Sequence, residues 1–343
     1  MSATPSTSAD WGPEFAQKHN LCIAILLAVL PVLAPWLSGV GQGPQLFVLA
    51  VLVVLTGLPH GALDITLLRS VGIRPLALLF SLILYVALAG LVVAGFDYFP
   101  AMALSLFLVV AWIHFGLGDT ENLVGWRRGG ECFVRGGMAI AGPITFYPDE
   151  TLALFIQLCQ PAGCTQVAIL THFFERFVSP FWLVTTALMV GLRLRSAAGR
   201  SLPSAARRAD FLVAWEMSSL ALLFWLWPPL AAFGVYFCVV HSIRHLVALG
   251  AARQPHAFGM AARWLWQESW PVLGLTLLLG ALLARHWGDG LSPDSLILRL
   301  IFVGLAALTM PHMVLTYWWH RRGKPTPGNL FAKVEGGETH IRR

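Results

Sequence analysis

Charge is what this sequence has least of. Only 12% of its 343 residues are Asp, Glu, Lys or Arg, about half the ~25% usual in a soluble domain. Hydrophobic residues make up 57% and the mean hydropathy is +0.70, which excludes an ordinary soluble globule and points to a protein dissolved in lipid. Its five cysteines (Cys22, Cys132, Cys159, Cys164, Cys238) include no CxxC pair. Free thiols are expected, with a Cys159–Cys164 disulfide the alternative if that loop is extracytoplasmic. The first twenty residues, a polar Ser/Thr-rich tail, lack the basic segment that opens a cleaved signal peptide. No repeat and no soluble domain stands out. The net charge of +6 is read as topology, and no nucleic-acid partner is expected.

What is present is a series of long apolar runs. Windows of about 20 apolar residues predict helices over 21–40, 44–68, 75–95, 98–117, 177–194, 211–227, 230–249, 271–285 and 296–319. One further span is expected near 137–158, where Pro143, Pro148, Asp149 and Glu150 interrupt the run; a re-entrant pair is the alternative. The expected fold is all-α: a polytopic transmembrane bundle of about ten helices filling 21–319, between the tail 1–20 and a basic tail 320–343.

Loop charges fix an orientation. With the N-terminus inside, the cytoplasmic side collects Arg69, Arg74, Arg127, Arg128, Arg135, Arg193, Arg195, Arg200, Arg207, Arg208, Arg253 and Arg263, together with the basic tail. The other side holds mainly Asp97, Asp149, Glu150, Glu175, Arg176, Arg285, Asp289 and Asp294. This is the positive-inside pattern, with both termini cytoplasmic. Trp318 and Trp319 read as an interfacial belt.

The chemistry-bearing residues are histidines. His241 and His245 stand four apart in an apolar run, on one face of a helix. His60 lies late in the second expected span, His114 late in the fourth, and His312 late in the tenth. All of these spans are even-numbered, so five histidines converge at one depth in the cytoplasmic half. A lone intramembrane histidine is often a hydrogen-bonded packing residue. Five at one depth on four helices read as function.

The donor set narrows what such a site would hold. No cysteine, and no carboxylate other than Asp64, is expected at that depth, so imidazole ligation of Fe, Cu, Ni or Zn is favoured. Asp64, one turn beyond His60, is expected to orient that ring or to mark the helix end at the interface. Arg244 is expected to snorkel or to pair with Asp119 or Glu121. Aromatics near this depth, among them Tyr85, Trp112, Phe115, Phe233, Tyr236, Phe237 and Tyr317, are candidate walls of an apolar tunnel. Trp112, Phe115, Tyr236, Phe237 and Tyr317 are its nearest candidates. The bland alternative for each is packing.

At these motifs the chain resembles the Brp/Blh family of integral-membrane β-carotene dioxygenases. The resemblance is carried by Gly57-Leu-Pro-His60-Gly-Ala-Leu-Asp64, His114-Phe-Gly-Leu-Gly-Asp119, His241-Ser-Ile-Arg244-His245 and Pro311-His312-Met. It implies a helical protein of the bacterial inner membrane whose iron(II) is held by histidines. It also implies O2-dependent cleavage of β-carotene at the central 15,15′ double bond, giving two all-trans-retinal. The ligands it implies are His60, His114, His241 and His245, with Asp64 and His312 in supporting or additional roles. The lipid bilayer, a carotenoid and O2 are the implied partners, with an opsin as a candidate acceptor of retinal. No general acid or base is required.

Three other classes remain open on the residues alone. A membrane desaturase or hydroxylase would carry an HxxHH cluster, which is absent from the sequence. A haem protein would use two to four of the histidines axially. A transporter or proton relay would use the cluster without metal.

Overall fold

The computed structural model describes residues 21–37, 39–70, 75–120, 125–160, 165–199, 203–253 and 258–321. The tails 1–20 and 322–343, Arg74, Glu121, Cys164 and Arg200 lie outside these. So do the side chains of His60, Tyr317, Trp318 and Trp319, although their backbones are helical.

The described residues form helices throughout. In order these are α1 (Leu21–Leu37), α2 (Gln42–Gly57), α3 (Leu58–Ala62), α4 (Asp64–Ser70), α5 (Pro75–Tyr98), α6 (Pro100–Gly118), α7 (Gly125–Gly137), α8 (Ala141–Phe146), α9 (Pro148–Leu158), α10 (Thr165–Ala198), α11 (Ser204–Leu226), α12 (Pro229–Gly250), α13 (Phe258–Trp287) and α14 (Pro293–Arg321). Proline in the first turn of α6, α9 and α12 costs no hydrogen bond there and presets the helical φ. Asp149 and Glu150 add charge that suits the N-terminal dipole of α9. Seven helices are long and apolar enough to cross a membrane: α5, α6, α10, α11, α12, α14 and the Ala262–Gly290 stretch that includes most of α13. They make this a multi-pass membrane protein. Apolar residues such as Leu76, Phe80, Val184 and Leu278 face outward, as lipid as solvent requires.

The histidine-bearing helices lie side by side and run the same way. At one end of α2, Gly43 abuts Asp294 of α14; beyond its other end, Asp64 meets His312 of α14. Along the same helix Gly57 abuts Phe237, and Leu49 abuts Gly234, both of α12. Helix α5 runs opposite to α14, pairing Asp97 with Arg299 and Tyr85 with Leu308. Since α5 and α6 form a hairpin closed by the Phe99 amide on the Gly95 carbonyl, α6 runs with α14.

The 137–158 stretch is not one helix. It breaks at Tyr147, ahead of Pro148, and a tight turn separates Gly137 from Ala141. Proline has no N–H to continue the ladder. Helix α7 packs back along α6, with Gly116 against Cys132 and Gly136 against Trp112. By Leu158 the chain has reached the opposite end, where the Leu158 carbonyl accepts from Arg299.

Three helices contain π-helical turns, at Val53–Gly57, Phe174–Val178 and Val235–Ser242. Such turns shift the hydrogen-bond register by one residue and recur at functional sites. Two of them face each other at the histidine cluster, where Phe237 rests on Gly57.

Candidate functional site: an intramembrane histidine cluster

Three imidazoles meet between α6, α12 and α14. The His114 ring lies 5.3 Å from that of His241 and 5.2 Å from that of His312, centroid to centroid. His245 lies within electrostatic reach of His114, His241 and His312. His241 and His312 are buried. The backbone of His60, on α3, stands one turn before Asp64.

Each of the three rings has a defined neighbour on its Nδ1 side. Asp64 takes Nδ1 of His312 at 2.7 and 2.9 Å. The Tyr85 hydroxyl donates to Asp64 at 3.3 Å and to the Leu308 carbonyl at 3.2 Å, beside the point where Pro311 interrupts the α14 ladder. Nδ1 of His114 stands 2.9 Å from Sδ of Met313. Nδ1 of His241 lies 3.7 Å from Oδ1 of Asp119. Asp64 is expected from sequence to orient His60, whose side chain lies outside the described residues; the partner the structure gives it is His312, which sequence spacing does not offer because it is 248 residues away.

Asp119 corrects a second expectation. Asp64 was to be the only carboxylate at this depth, yet Asp119 faces His241. It is the C-cap of α6, one residue past the apolar run, so a hydropathy window places it outside the site. Arg244 pairs with Asp119 at 3.0 Å and with Glu216 at 2.8 Å, choosing the ion pair over snorkelling. Arg135 pairs with Glu216 at 3.0 Å, and Arg193 pairs with Glu131 and Asp210. Arg135 is thus a buried partner and Arg193 a partly buried one, rather than loop charges. The polar face of α7 hid Arg135, since its charges lie in a sequence stretch that reads as a loop, and Arg193 stands near the end of α10.

A largely apolar cavity of about 70 Å³ reaches this cluster. Leu104, Leu108, Ala111 and Phe115 of α6 line it, facing Phe233 and Phe237 of α12 and Phe302 of α14. Phe115 and Phe237 connect it to the site, with ring centroids 4.8 and 6.3 Å from that of His241. Of the expected tunnel residues, Phe115, Phe233 and Phe237 line the cavity. Trp112 and Tyr236 do not: Trp112 donates to the Phe133 carbonyl, and Tyr236 to Asp119 and the Arg135 carbonyl. Both spend their polar atoms on holding α7 and α12 in place. The walls the sequence missed, such as Leu104, Leu108, Ala111 and Phe302, are apolar residues that look like any other membrane core.

Among the described residues, no three His, Cys, Asp or Glu side chains form a finished metal site. The donor chemistry nonetheless fits one. Two imidazoles bound to one ion at about 2.1 Å place their centroids roughly 5 Å apart, the spacing seen here, which also serves edge-to-face packing. Carboxylates on the Nδ1 side would leave Nε2 as the donor. Cys238 carries a free thiol and lies outside the cluster.

An all-helical, multi-pass membrane protein with buried histidines at the end of an apolar cavity is the class that fold and site define. A family profile described as beta-carotene 15,15′-dioxygenase matches residues 51–320. The chain belongs to that family. It is 29% identical over 331 residues to a probable beta-carotene 15,15′-dioxygenase, Blh, of Halobacterium salinarum, covering 87% of this chain and 90% of that one. It is also 29% identical over 268 residues to a beta-carotene 15,15′-dioxygenase of an uncultured marine bacterium, covering 77% and 90%. No solved structure matches the chain.

Proposed function

We propose that this enzyme cleaves β-carotene at its central 15,15′ double bond with O2, one oxygen atom entering each of two all-trans-retinal molecules. The observation that carries the reading beyond family membership is the meeting of His114, His241 and His312 beside Phe115 and Phe237, two walls of the apolar cavity that pack on His241. Iron(II) is the proposed metal, with His60, His114, His241 and His245 as its ligands and His312, aimed by Asp64, as a supporting or additional donor. Iron, when bound, supplies the activation of O2.

The protein's own residues do the rest. Asp64 on the Nδ1 side of His312, and Asp119 on that of His241, would leave the Nε2 atoms of these two rings for the metal. Phe115 and Phe237 pack against His241 and exclude water. A hydrocarbon offers no polar handle, so cavity length and shape choose the bond. The cavity holds the volume of about two waters and lies far below the ~300 Å³ at which ligand pockets begin. Binding of the polyene therefore requires the phenylalanines around it to turn aside.

The family's topology follows from the same helices. Ten crossings with cytoplasmic termini are supported by the parallel run of α2, α6, α12 and α14, which needs an odd number of crossings between α6 and α12. Helices α10 and α11 supply two, and α7 to α9 together supply the third. The bacterial inner membrane as location, polar tails at 1–20 and 320–343, and an opsin as acceptor complete the proposal.

Expression in a β-carotene-accumulating bacterium tests it. The colour should bleach and retinal should be recovered by chromatography. Unchanged colour with the protein folded in the membrane, or long apocarotenals in place of retinal, overturns central cleavage.

A further inference from the structure

One end of a buried ion-pair chain rests on the histidine cluster. From Asp119 it passes to Arg244, Glu216, Arg135, Glu131, Arg193 and Asp210, acid alternating with base. Its members come from the end of α6 and from α12, α11, α7 and α10. Ser196 donates to Asp210 at the far end. Among these seven residues four carboxylates face three guanidiniums, so one negative charge is in excess.

A buried ion pair is rarely worth its desolvation as stability alone. Six pairs in a row, joining seven charged residues, call for another reason. At the near end, Asp119 is almost fully buried, and each of its oxygens has work. Oδ1 meets Arg244 at 3.0 Å and His241 Nδ1 at 3.7 Å, while Oδ2 receives the Tyr236 hydroxyl at 3.4 Å. Tyr236 is itself held by the Arg135 carbonyl, so the chain grips Asp119 from two sides. The end of α6 lies against the same ring: a Cβ on Gly118 would stand in ordinary van der Waals contact with Cε1 of His241, at 3.6 Å.

We infer that Asp119 is a positioning residue: held by the Arg244–Glu216–Arg135 chain, it aims His241 by accepting its Nδ1–H and so presents Nε2 to the metal. The inference rests on the iron reading of the cluster. Asp119 would then do for His241 what Asp64 does for His312, each carboxylate approaching from a different helix. The 3.7 Å separation closes to a hydrogen bond when the ring is drawn onto a metal, as site contacts commonly tighten on loading. The excess negative charge of the chain offsets part of the dication's cost in lipid.

The test uses full-length protein purified in detergent, with anaerobic Fe(II) titration against a competing chelator and the visible spectrum of the Co(II)-loaded form. Asp119→Asn is expected to weaken Fe(II) binding about 10- to 100-fold and to shift the Co(II) bands. Asp119→Glu keeps the charge and the Arg244 pair but moves the carboxylate. It is expected to unfold thermally like the parent while still binding Fe(II) several-fold more weakly. Should Asp119→Asn fail to fold, the Glu variant decides alone. Parent-like Fe(II) affinity and Co(II) bands in the folded variants overturn the inference, leaving Asp119 a structural anchor. His241→Ala separates the two levels: if it too binds Fe(II) like the parent, the iron reading of His241 fails, whatever Asp119 does.

Discussion

Asp64 grips Nδ1 of His312 with both carboxylate oxygens, at 2.7 and 2.9 Å. An ionised carboxylate only accepts, so the imidazole carries its proton on Nδ1 and its lone pair on Nε2. Asp64→Asn should disturb that tautomer, because an amide can donate as well as accept. The expected result is a 10- to 100-fold loss of retinal formation with protein levels in the membrane unchanged. Tyr85→Phe removes one hydrogen bond to the Asp64 carboxylate, 3.3 Å long, and should cost about 1.5 kcal/mol, the low end for a charged acceptor, read as a drop in activity of about tenfold. Full activity in Asp64→Asn would remove His312 from the site.

The cavity predicts a block that spares the metal. Ala111 is buried and lines the cavity one turn before Phe115. Ala111→Phe would fill a space already near 70 Å³. Retinal formation should fall more than about tenfold, since overpacked cavities cannot relax freely, while Fe(II) bound per protein stays at the parent value. A variant that loses iron along with activity would show that the cavity is structural rather than a route for substrate.

Much of the frame was legible in the sequence, and the reason is the solvent. Lipid demands about 20 apolar residues per crossing, so α5, α6, α10, α11, α12 and α14 each contain a run that hydropathy finds. The histidines stand out for the same reason, as polar atoms in apolar runs. What stayed hidden breaks one of those two rules. Helices α7 to α9 are short, Gly-rich and proline-broken, so hydropathy marks one interrupted span near 137–158 and leaves α7 as a loop. Asp119, Glu131, Arg135 and Arg193, members of the chain behind His241, sit near helix ends or on the polar face of α7 and read as solvated; their partner Glu216 lies mid-way along α11, within an apolar run. The π-helical turn at Val235–Ser242 leaves no trace in composition, although it sets where His241 points. Pairings across long separations, such as Asp64 with His312, follow from the parallel run of α2 and α14 and from nothing nearer in sequence.

Close glycine packing supplies a stability prediction. Gly116 of α6 faces the backbone carbonyl of Cys132, and Gly136 of α7 faces that of Trp112, each too close for any Cβ. Small residues that let two backbones touch are a standard adhesive between membrane helices. Gly116→Ala and Gly136→Ala should each destabilise by roughly 1–3 kcal/mol through overpacking, seen as a lower thermal unfolding midpoint in detergent. Gly90→Ala, at a position with open space around it, is the control and should leave the midpoint unchanged. Equal midpoints in all three variants would mean that α6 and α7 do not pack this tightly.

The opposite end of the bundle carries a lock with no part in the chemistry. Arg299 is buried, reaching Asp97 at 2.7 Å and the carbonyls of Phe96, Leu158 and Gln160. Its guanidinium also lies 4.7 Å from the centroid of the Trp287 ring, whose N–H donates to the same Asp97. One side chain therefore ties α5, α9, α13 and α14 together. Arg299→Ala leaves Asp97 and three carbonyls short of a donor, and truncating one partner of such a pair costs about 3–5 kcal/mol when buried. Asp97 is partly exposed, so the lower part of that range is expected, measured as a fall in unfolding midpoint and in membrane yield. Arg299→Lys should not restore it, because a single ammonium cannot span a planar set of acceptors. Protein that does fold should still bind Fe(II) at the parent level, since the histidine cluster lies at the other end of α14. Loss of iron from folded Arg299→Ala would show that the two ends of the bundle are coupled.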